Sequence, residues 1–365
     1  MSFLLQSDLN EFLPALRQLL AERIPAESLR KVAAQPYEAD GPVWTELAAL
    51  GVFAAALSED HGGLGFGVRG LAAILQEQAR VLSPLPIFET LGIAYPLLCS
   101  CESGALRDEL LSGIAAGMIR ATAPVGVLED VAAIPRAVGE QVPGSACRLN
   151  GGLSLVPSLE RSSDVFVTAL AERGTLVLCR LRTADLSPQP TETIDLVRRF
   201  SECVLIDTPA VVIGRVENGA RASLVTQVAS SAELVGCGRT VLEMTTEYVK
   251  TRKQFGASIG TFQAIQHKLA DALVSIESAE SLVRVAAWTA DASESQFHEA
   301  VAAAKGFCSE SIPSAIEACL QAHGGIGFTY EYDLHLYLRR AQMLSSLFGL
   351  AEESYRILAQ SALGR

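Results

Sequence analysis

EYVKTRKQFGASIGTFQAIQHKLAD, running from Glu247 to Asp271, gathers four basic side chains, three Gln, two Phe and two Gly. It does so in a chain whose formal net charge is -12. Arg252 and Lys253 stand beside a Phe-Gly pair, and Phe-Gln-Ala-Ile-Gln follows from Phe262. Cations flanking a Gly-bearing break between helices suit an anionic ligand, because charged donors make the stronger hydrogen bonds to anionic oxygens. Beyond the break, Phe262, Ile265, Leu269, Leu273, Ile276, Ala279 and Val283 repeat every three or four residues. That stripe predicts a helix packed in an antiparallel bundle. A further helical stretch, EAVAAAKGFCSESIPSAIEACLQAH (Glu299–His323), stops at Gly324-Gly325.

Toward the N-terminus the texture changes. CRLNGGLSLV, DVFVTAL, TLVLCRL and CVLIDTPAVVIG are short β-branched runs bounded by Gly, Pro, Asp and Ser. They predict strands of an antiparallel sandwich or barrel, with no helices between them to build a βαβ layout. Before them, Phe12, Leu16, Leu19 and Leu20 keep helical spacing, and Pro14 is expected to start or kink that helix. VWTELAALGVFAAAL and VRGLAAILQEQARVL read as further helices around the Gly-rich turn SEDHGGLGFG. The expectation is an α+β multidomain protein: helical over 1–117, antiparallel β over 118–221, and a four-helix bundle over 222–365.

Composition narrows the function. With 49% hydrophobic and 19% charged residues the chain is globular, and 365 residues suggest two or three domains. The acidic balance argues against nucleic acid as a partner. Eight Cys form no CxxC pair and five His form no HExxH or HxH group, so no metal site is expected and the thiols read as free. No basic leader or membrane-length apolar run is present, so a soluble cytoplasmic protein is expected.

With QAHGGIGFTYEYDL (Gln321–Leu334), WTELAALGVFAAALSEDHGGLGFG (Trp44–Gly67) and RLNG (Arg148–Gly151) added to the opening stretch, the sequence resembles the acyl-CoA dehydrogenases along nearly its whole length. The resemblance implies FAD, an acyl-CoA substrate, an electron-transfer flavoprotein as electron acceptor, and subunits associating through the bundle. In the family a Glu removes the α proton and flavin N5 takes the β hydride. The FAD of one subunit is also gripped by its neighbour. The resemblance puts Arg252 at the neighbour's FAD pyrophosphate, with Gln254 and Phe255 beside it. It puts Phe262 and Gln263 near the adenosine, and makes Gln321, Gly324 and Gly325 the second cofactor motif. Each motif alone also reads as an ordinary helix turn or C-cap. Their spacing of about 70 residues inside the helix–strand–helix order favours the cofactor reading.

Two departures stand out. The family's usual base position, just before a Gly in the last helical segment, falls on Phe348. The alternative position on the first bundle helix falls on Thr226, followed by Gln227. Neither Phe nor Thr accepts a proton near neutral pH. The middle-domain flavin-ring signatures are replaced by IRATAPVGVLEDVA (Ile119–Ala132) and LSLVPSL (Leu153–Leu159). The contacts to FAD held in cis are thus lost while those to the neighbour's FAD are kept. This pattern resembles the non-catalytic subunit of heteromeric bacterial members, some of which act on steroid CoA esters, with a second dehydrogenase-like chain as partner. Three alternatives stay open. One is a self-sufficient homo-oligomer using Glu233, seven residues after Thr226 on the same helix face, as a displaced base of raised pKa. The others are a structural or regulatory paralogue without turnover, and a related flavin monooxygenase. Glu243 and Glu247 read as solvated helix charges, Asp60 and His61 as turn residues, and Arg198 or Arg199 as subunit-contact or surface residues.

Overall fold

The computed structural model describes residues 7–34, 40–125, 134–140, 142–292, 294–330 and 332–364. The N-terminal part is helical: α1 (Ser7–Arg23), α2 (Ala26–Ala34), α3 (Asp40–Leu50), α4 (Gly67–Ala79), α5 (Tyr95–Cys99) and α6 (Ala105–Ala115). Pro14 neither starts nor breaks α1. The carbonyl its missing N–H leaves unbonded belongs to Asn10, which is exposed and can turn to water. A π-helical segment, Glu89–Ala94, leads directly into α5 and is buried throughout.

Strands then follow: β1 (Ala121–Thr122), β2 (Arg136–Gly139), β3 (Ala146–Pro157), β4 (Asp164–Leu170), β5 (Leu176–Arg182), β6 (Gln189–Thr191) and β7 (Phe200–Arg215). They run in the order β1-β4-β2-β3-β7-β5, and β4 also pairs with β5, closing the sheet on itself. Inward residues such as Leu149, Val167, Val177 and Leu205 form a separate core inside it. The antiparallel expectation needs one correction. β1–β4 and β2–β4 are short parallel pairings between strands that are not sequence neighbours, the connection running through intervening strands of the same sheet rather than a hairpin turn. At Leu153–Val156 the β3–β7 register slips, and Leu155 takes a φ of 49° at this bulge.

The chain is helical again from α7 (Gly219–Thr251), three residues before Ala222. The Asn218 side chain accepts from the Arg221 N–H at 3.2 Å and caps its start. A small ribbon, β8 (Lys253–Gln254) and β9 (Ala257–Ser258), separates α7 from α8 (Gln263–Ala292). α9 (Glu294–His323), α10 (Leu334–Ser346) and α11 (Ala351–Ala362) complete the bundle, which has five helices among the described residues. Only the second half of the α8 stripe faces the chain's own core: Ile276, Ala279 and Val283 are buried. Leu273 and Phe262 are 44% and 37% exposed. The first turns of α8 extend beyond the chain's own packing.

Candidate functional site

The opening stretch builds an exposed projection at one end of the bundle. α7 ends where Arg252 turns extended, its N–H still bonded to the Tyr248 carbonyl at 2.9 Å. The Arg252 side chain is exposed and has no hydrogen-bond or ion-pair partner among the described residues. Lys253 pairs with Ser258 and Gln254 with Ala257, which leaves Phe255 and Gly256 as a two-residue turn with φ of 53° and 81°. Such a turn needs positive φ at both positions, which Gly takes freely and Phe takes at a cost of about 1–2 kcal/mol. The Phe255 ring is 94% exposed, edge-on to Phe262 at 6.2 Å. A strained aromatic held in water points to a contact outside this chain.

The second motif lies against the first. α9 ends at His323, Gly324 takes a φ of 68°, and a Cβ added at Gly324 or Gly325 would meet nothing within 4 Å. The backbone there is open to an incoming group. The Tyr248 hydroxyl donates to the His323 carbonyl at 3.4 Å, and the two rings stack at 4.3 Å. Lys268 Nζ, on α8, donates to Gln321 at 2.5 Å. Gln254, Phe255, Phe262, Gln263, Gln321, Gly324 and Gly325 are all exposed at this end, around Arg252.

Glu233 has a different setting. It is fully buried and accepts from Arg198 Nη1 at 2.9 Å and Nη2 at 2.8 Å, a bidentate pair. Arg340 Nη1 at 2.7 Å and Gln78 Nε2 at 2.9 Å add two further donors. Burial alone would push the carboxyl up, but the Arg198 and Arg340 guanidiniums outweigh it and hold Glu233 below the ordinary carboxylate range. The expected raised pKa is therefore corrected, and the reason is the two cations. Arg198, expected at a surface or subunit contact, is itself buried and reaches Glu89 at 2.8 Å. Arg340 also donates to Asp195. The cluster joins the π segment before α5, the loop before β7, α7 and α10. Arg199 is the exposed one, reaching the Val32 carbonyl at 3.3 Å. Glu243 and Glu247 are half-exposed or more and pair with Arg80 and Lys250. Asp60 and His61 lie in a single 3₁₀ turn.

Neither Phe348 nor Thr226, where the resemblance leads one to expect the base, carries one. Phe348 has a φ of 61° and its ring lies 5.8 Å from that of Phe88, over which the Arg198 guanidinium sits on the other contact at 4.5 Å. Thr226 is buried, its hydroxyl given to the Ala222 carbonyl at 3.1 Å. Gln227 and Gly349 meet in a groove of about 940 Å³ between the sheet, α7, α9 and α11. The loop after α10 is held from below by Lys305, buried among alanines of α9. Its ammonium donates to the Leu344 and Leu347 carbonyls, both at 2.7 Å. Lys305→Met is expected to lower stability by about 1–3 kcal/mol, since one buried and one half-buried carbonyl lose a charged donor. A shift of the urea midpoint measures it, and an unchanged midpoint would show that water replaces the ammonium.

In the middle domain, Pro157 stands within the replaced signature. It has no N–H, and its carbonyl accepts from Thr122 at 2.7 Å. Ser158, at φ 50°, gives its hydroxyl to Glu89 at 3.0 Å. Of the other replaced stretch, residues 126–132 lie outside the described residues. Sequence reasoning missed Glu89, Asp195, Arg340, Lys305 and His323. The available signal was a charged or polar residue set in an apolar helical face, as with Lys305 in VAAAKGF. Among the described residues no group of three or more His, Cys, Asp or Glu is placed to hold a metal. No described helix is long and apolar enough to cross a membrane.

The acyl-CoA dehydrogenase N-terminal domain family matches residues 6–118, and the C-terminal domain family matches residues 224–363. Acyl-CoA dehydrogenase FadE34 of Mycobacterium tuberculosis is 30% identical over 309 residues. That alignment covers 84% of this chain and only 40% of that relative's length. Acyl-CoA dehydrogenase IpdE2 of the same organism is 28% identical, covering 94% of this chain and 96% of its own. Among solved structures, a variant of the steroid ACAD Tcur3481-Tcur3483 superposes with a TM-score of 0.85 at 29% identity, covering 99% of each chain. The ChsE4-ChsE5 complex from M. tuberculosis gives 0.87 at 21% identity, covering all of both chains. Family members are FAD flavoproteins. With two matched domains spanning more than half of its residues in the expected order, the chain belongs to the acyl-CoA dehydrogenase family of oxidoreductases.

Proposed function

We propose that this chain is the helper subunit of a heteromeric acyl-CoA dehydrogenase, which desaturates the α,β bond of a CoA thioester. The observation that carries the reading is the fate of the three candidate bases. Phe348 cannot accept a proton, Thr226 is hydrogen-bonded within its own helix, and Glu233 is clamped between two buried guanidiniums. The self-sufficient alternative with Glu233 as base loses its physical ground, because a base below the ordinary carboxylate range and without free access is a poor one.

The chain's residues fit one half of FAD. Arg252 offers two parallel donors to phosphate oxygens, and the Gly324–Gly325 backbone admits close approach. They fit the flavin ring poorly in cis: Pro157 has no N–H to offer, and the Ser158 hydroxyl is already given to Glu89. In this reading FAD, held mainly by the partner subunit, supplies the hydride acceptor. This chain grips its phosphates, and the partner supplies the base. The protruding face of α8 and the exposed Phe255 support docking of that partner through the bundle. Likeness to the steroid ACAD Tcur3481-Tcur3483 supports a bulky, steroid-type CoA ester; an electron-transfer flavoprotein as acceptor and a cytoplasmic location complete this reading as the family resemblance implies them.

The lone chain is expected to bind little FAD. The flavin absorbance of the purified chain measures this. Full, tight occupancy without a partner would end the helper reading, whereas gain of flavin on adding a second dehydrogenase-like chain supports it.

A further inference from the structure

We propose that His323, stacked on Tyr248, is a positioning residue that locks the Gly324–Gly325 turn to the C-terminal end of α7, making the two exposed motifs one gripping surface. The proposal rests on the FAD reading above. The two motifs belong to different helices, and each alone would fray, since the last turn of a helix has unbonded carbonyls. The His323–Tyr248 pair ties the ends together. The rings stack at 4.3 Å with planes 20° apart, and the Tyr248 hydroxyl donates to the His323 carbonyl at 3.4 Å. Tyr332 packs beside the pair, its ring 5.1 Å from that of His323 and 6.3 Å from that of Tyr248. Arg252 follows one turn after Tyr248, and Gly324 follows His323 directly. The stack therefore holds the end of α7 that carries Arg252 against the open Gly324–Gly325 backbone.

The imidazole is in a defined state. His323 is only 4% exposed, and its Nδ1 lies 3.0 Å from the Cys319 carbonyl. A carbonyl only accepts, so Nδ1 carries the hydrogen and neutral His323 leaves Nε2 bare. Nε2 is buried and has no partner among the described residues. The groups against the ring are Tyr248 from α7, the Cys319 carbonyl within α9 and Tyr332 from the segment before α10, while the adjacent Asp333 pairs with Arg30 at 3.2 Å. Lys268 of α8 is engaged one turn back on Gln321. Protonation would bury a second N–H without an acceptor. Burial pushes the imidazole below its ordinary value, against the opposing Cys319 carbonyl. The unfolded state therefore takes up the proton first. The stack is intact above the ordinary His range near 6.5 and weakens as pH falls through the lower folded value.

The test uses amide hydrogen exchange on the full chain, followed over residues 246–256 and 320–330. FAD retention is then measured on the assembled, FAD-containing complex. His323→Ala is expected to speed exchange in both segments together by roughly three- to tenfold, the range an aromatic stack supplies. His323→Phe, which keeps a ring, restores slow exchange. Taking wild type from pH 7.5 down through the folded His323 value, with exchange read as protection factors, reproduces the Ala pattern, while His323→Phe stays insensitive, a response that loss of general stability does not give. Faster exchange in one segment only, or none in either, overturns the proposal. So does His323→Ala retaining FAD fully in a complex where Arg252→Ala loses it, and that result leaves the FAD reading standing. Full retention in both variants overturns the FAD reading along with it.

Discussion

Arg340→Met is expected to cost about 3–5 kcal/mol of stability, the range for removing one partner of a buried ion pair. Domains of this kind have only about 5–15 kcal/mol in total, so much of the protein should be lost to the insoluble fraction at growth temperature. The geometry makes the effect large. Arg340 and Arg198 are fully buried and serve three carboxylates, Glu89, Asp195 and Glu233. Removing Arg340 leaves Asp195 without a side-chain cation and leaves Glu233 to share the Arg198 guanidinium with Glu89. Because the cluster ties the N-terminal helices, the sheet and the bundle, the loss should appear in one cooperative transition. Chemical denaturation of Arg340→Met beside wild type measures it. A loss under about 1 kcal/mol would mean that water reaches the cluster, since solvated pairs are worth that little. Adding Glu233→Gln and Asp195→Asn should recover part of the loss by removing the uncompensated charges. Acid gives an independent check. Glu233 is held below its ordinary value of 4.5, so its contribution is present above that value and is lost only as pH falls through the lower folded one.

Such a cluster was not legible in the sequence, for a physical reason. Its members, at positions 78, 89, 195, 198, 233 and 340, share no spacing and meet only after three layers have packed. The bundle, by contrast, was legible because its information is local. The stripe from Ile276 to Val283 repeats at helical spacing and is buried as that spacing demands. The same stripe misled at its start, where Phe262 and Leu273 keep the pattern but lie exposed. Periodicity reports that a face is apolar, without reporting whether the chain's own core or another chain covers it. The parallel β1–β4 pairing was hidden likewise. A two-residue strand has no periodicity to read, and its partner lies more than forty residues away at Asp164–Val165. At the exposed site, the residue types around Arg252 were readable from spacing. The coupling through Tyr248 and His323 was not, because ring stacking between two helix ends leaves no trace in either motif alone.

Arg252→Ala and Glu233→Gln separate the two catalytic readings, since each assigns them opposite importance. Arg252 is exposed and unpartnered, so replacing it disturbs little of the fold. In the helper reading its guanidinium pairs with a phosphate of FAD held by the partner subunit. Losing such a charge-assisted contact costs about 1.5–3 kcal/mol. FAD retention by the assembled complex should therefore weaken by roughly ten- to a hundredfold, while turnover per bound flavin stays near normal. Ionic strength sharpens the test: added salt should weaken wild type more than Arg252→Ala, because the contact is a surface ion pair. Glu233→Gln removes a charge that faces Arg198 and Arg340, so its cost falls on stability. In the folded fraction its turnover should be unchanged, the base belonging to the other chain. Were Glu233 the base, turnover would drop by at least about 10²-fold, the low end for general base catalysis, with FAD still bound. Both variants are to be measured in the assembled complex and normalised to folded, flavin-loaded protein. Collapse of turnover in Glu233→Gln with flavin retained would reject the helper role. Loss of flavin in Arg252→Ala at constant turnover per flavin would place this chain's contribution at the phosphates of its partner's cofactor, away from the proton that is removed.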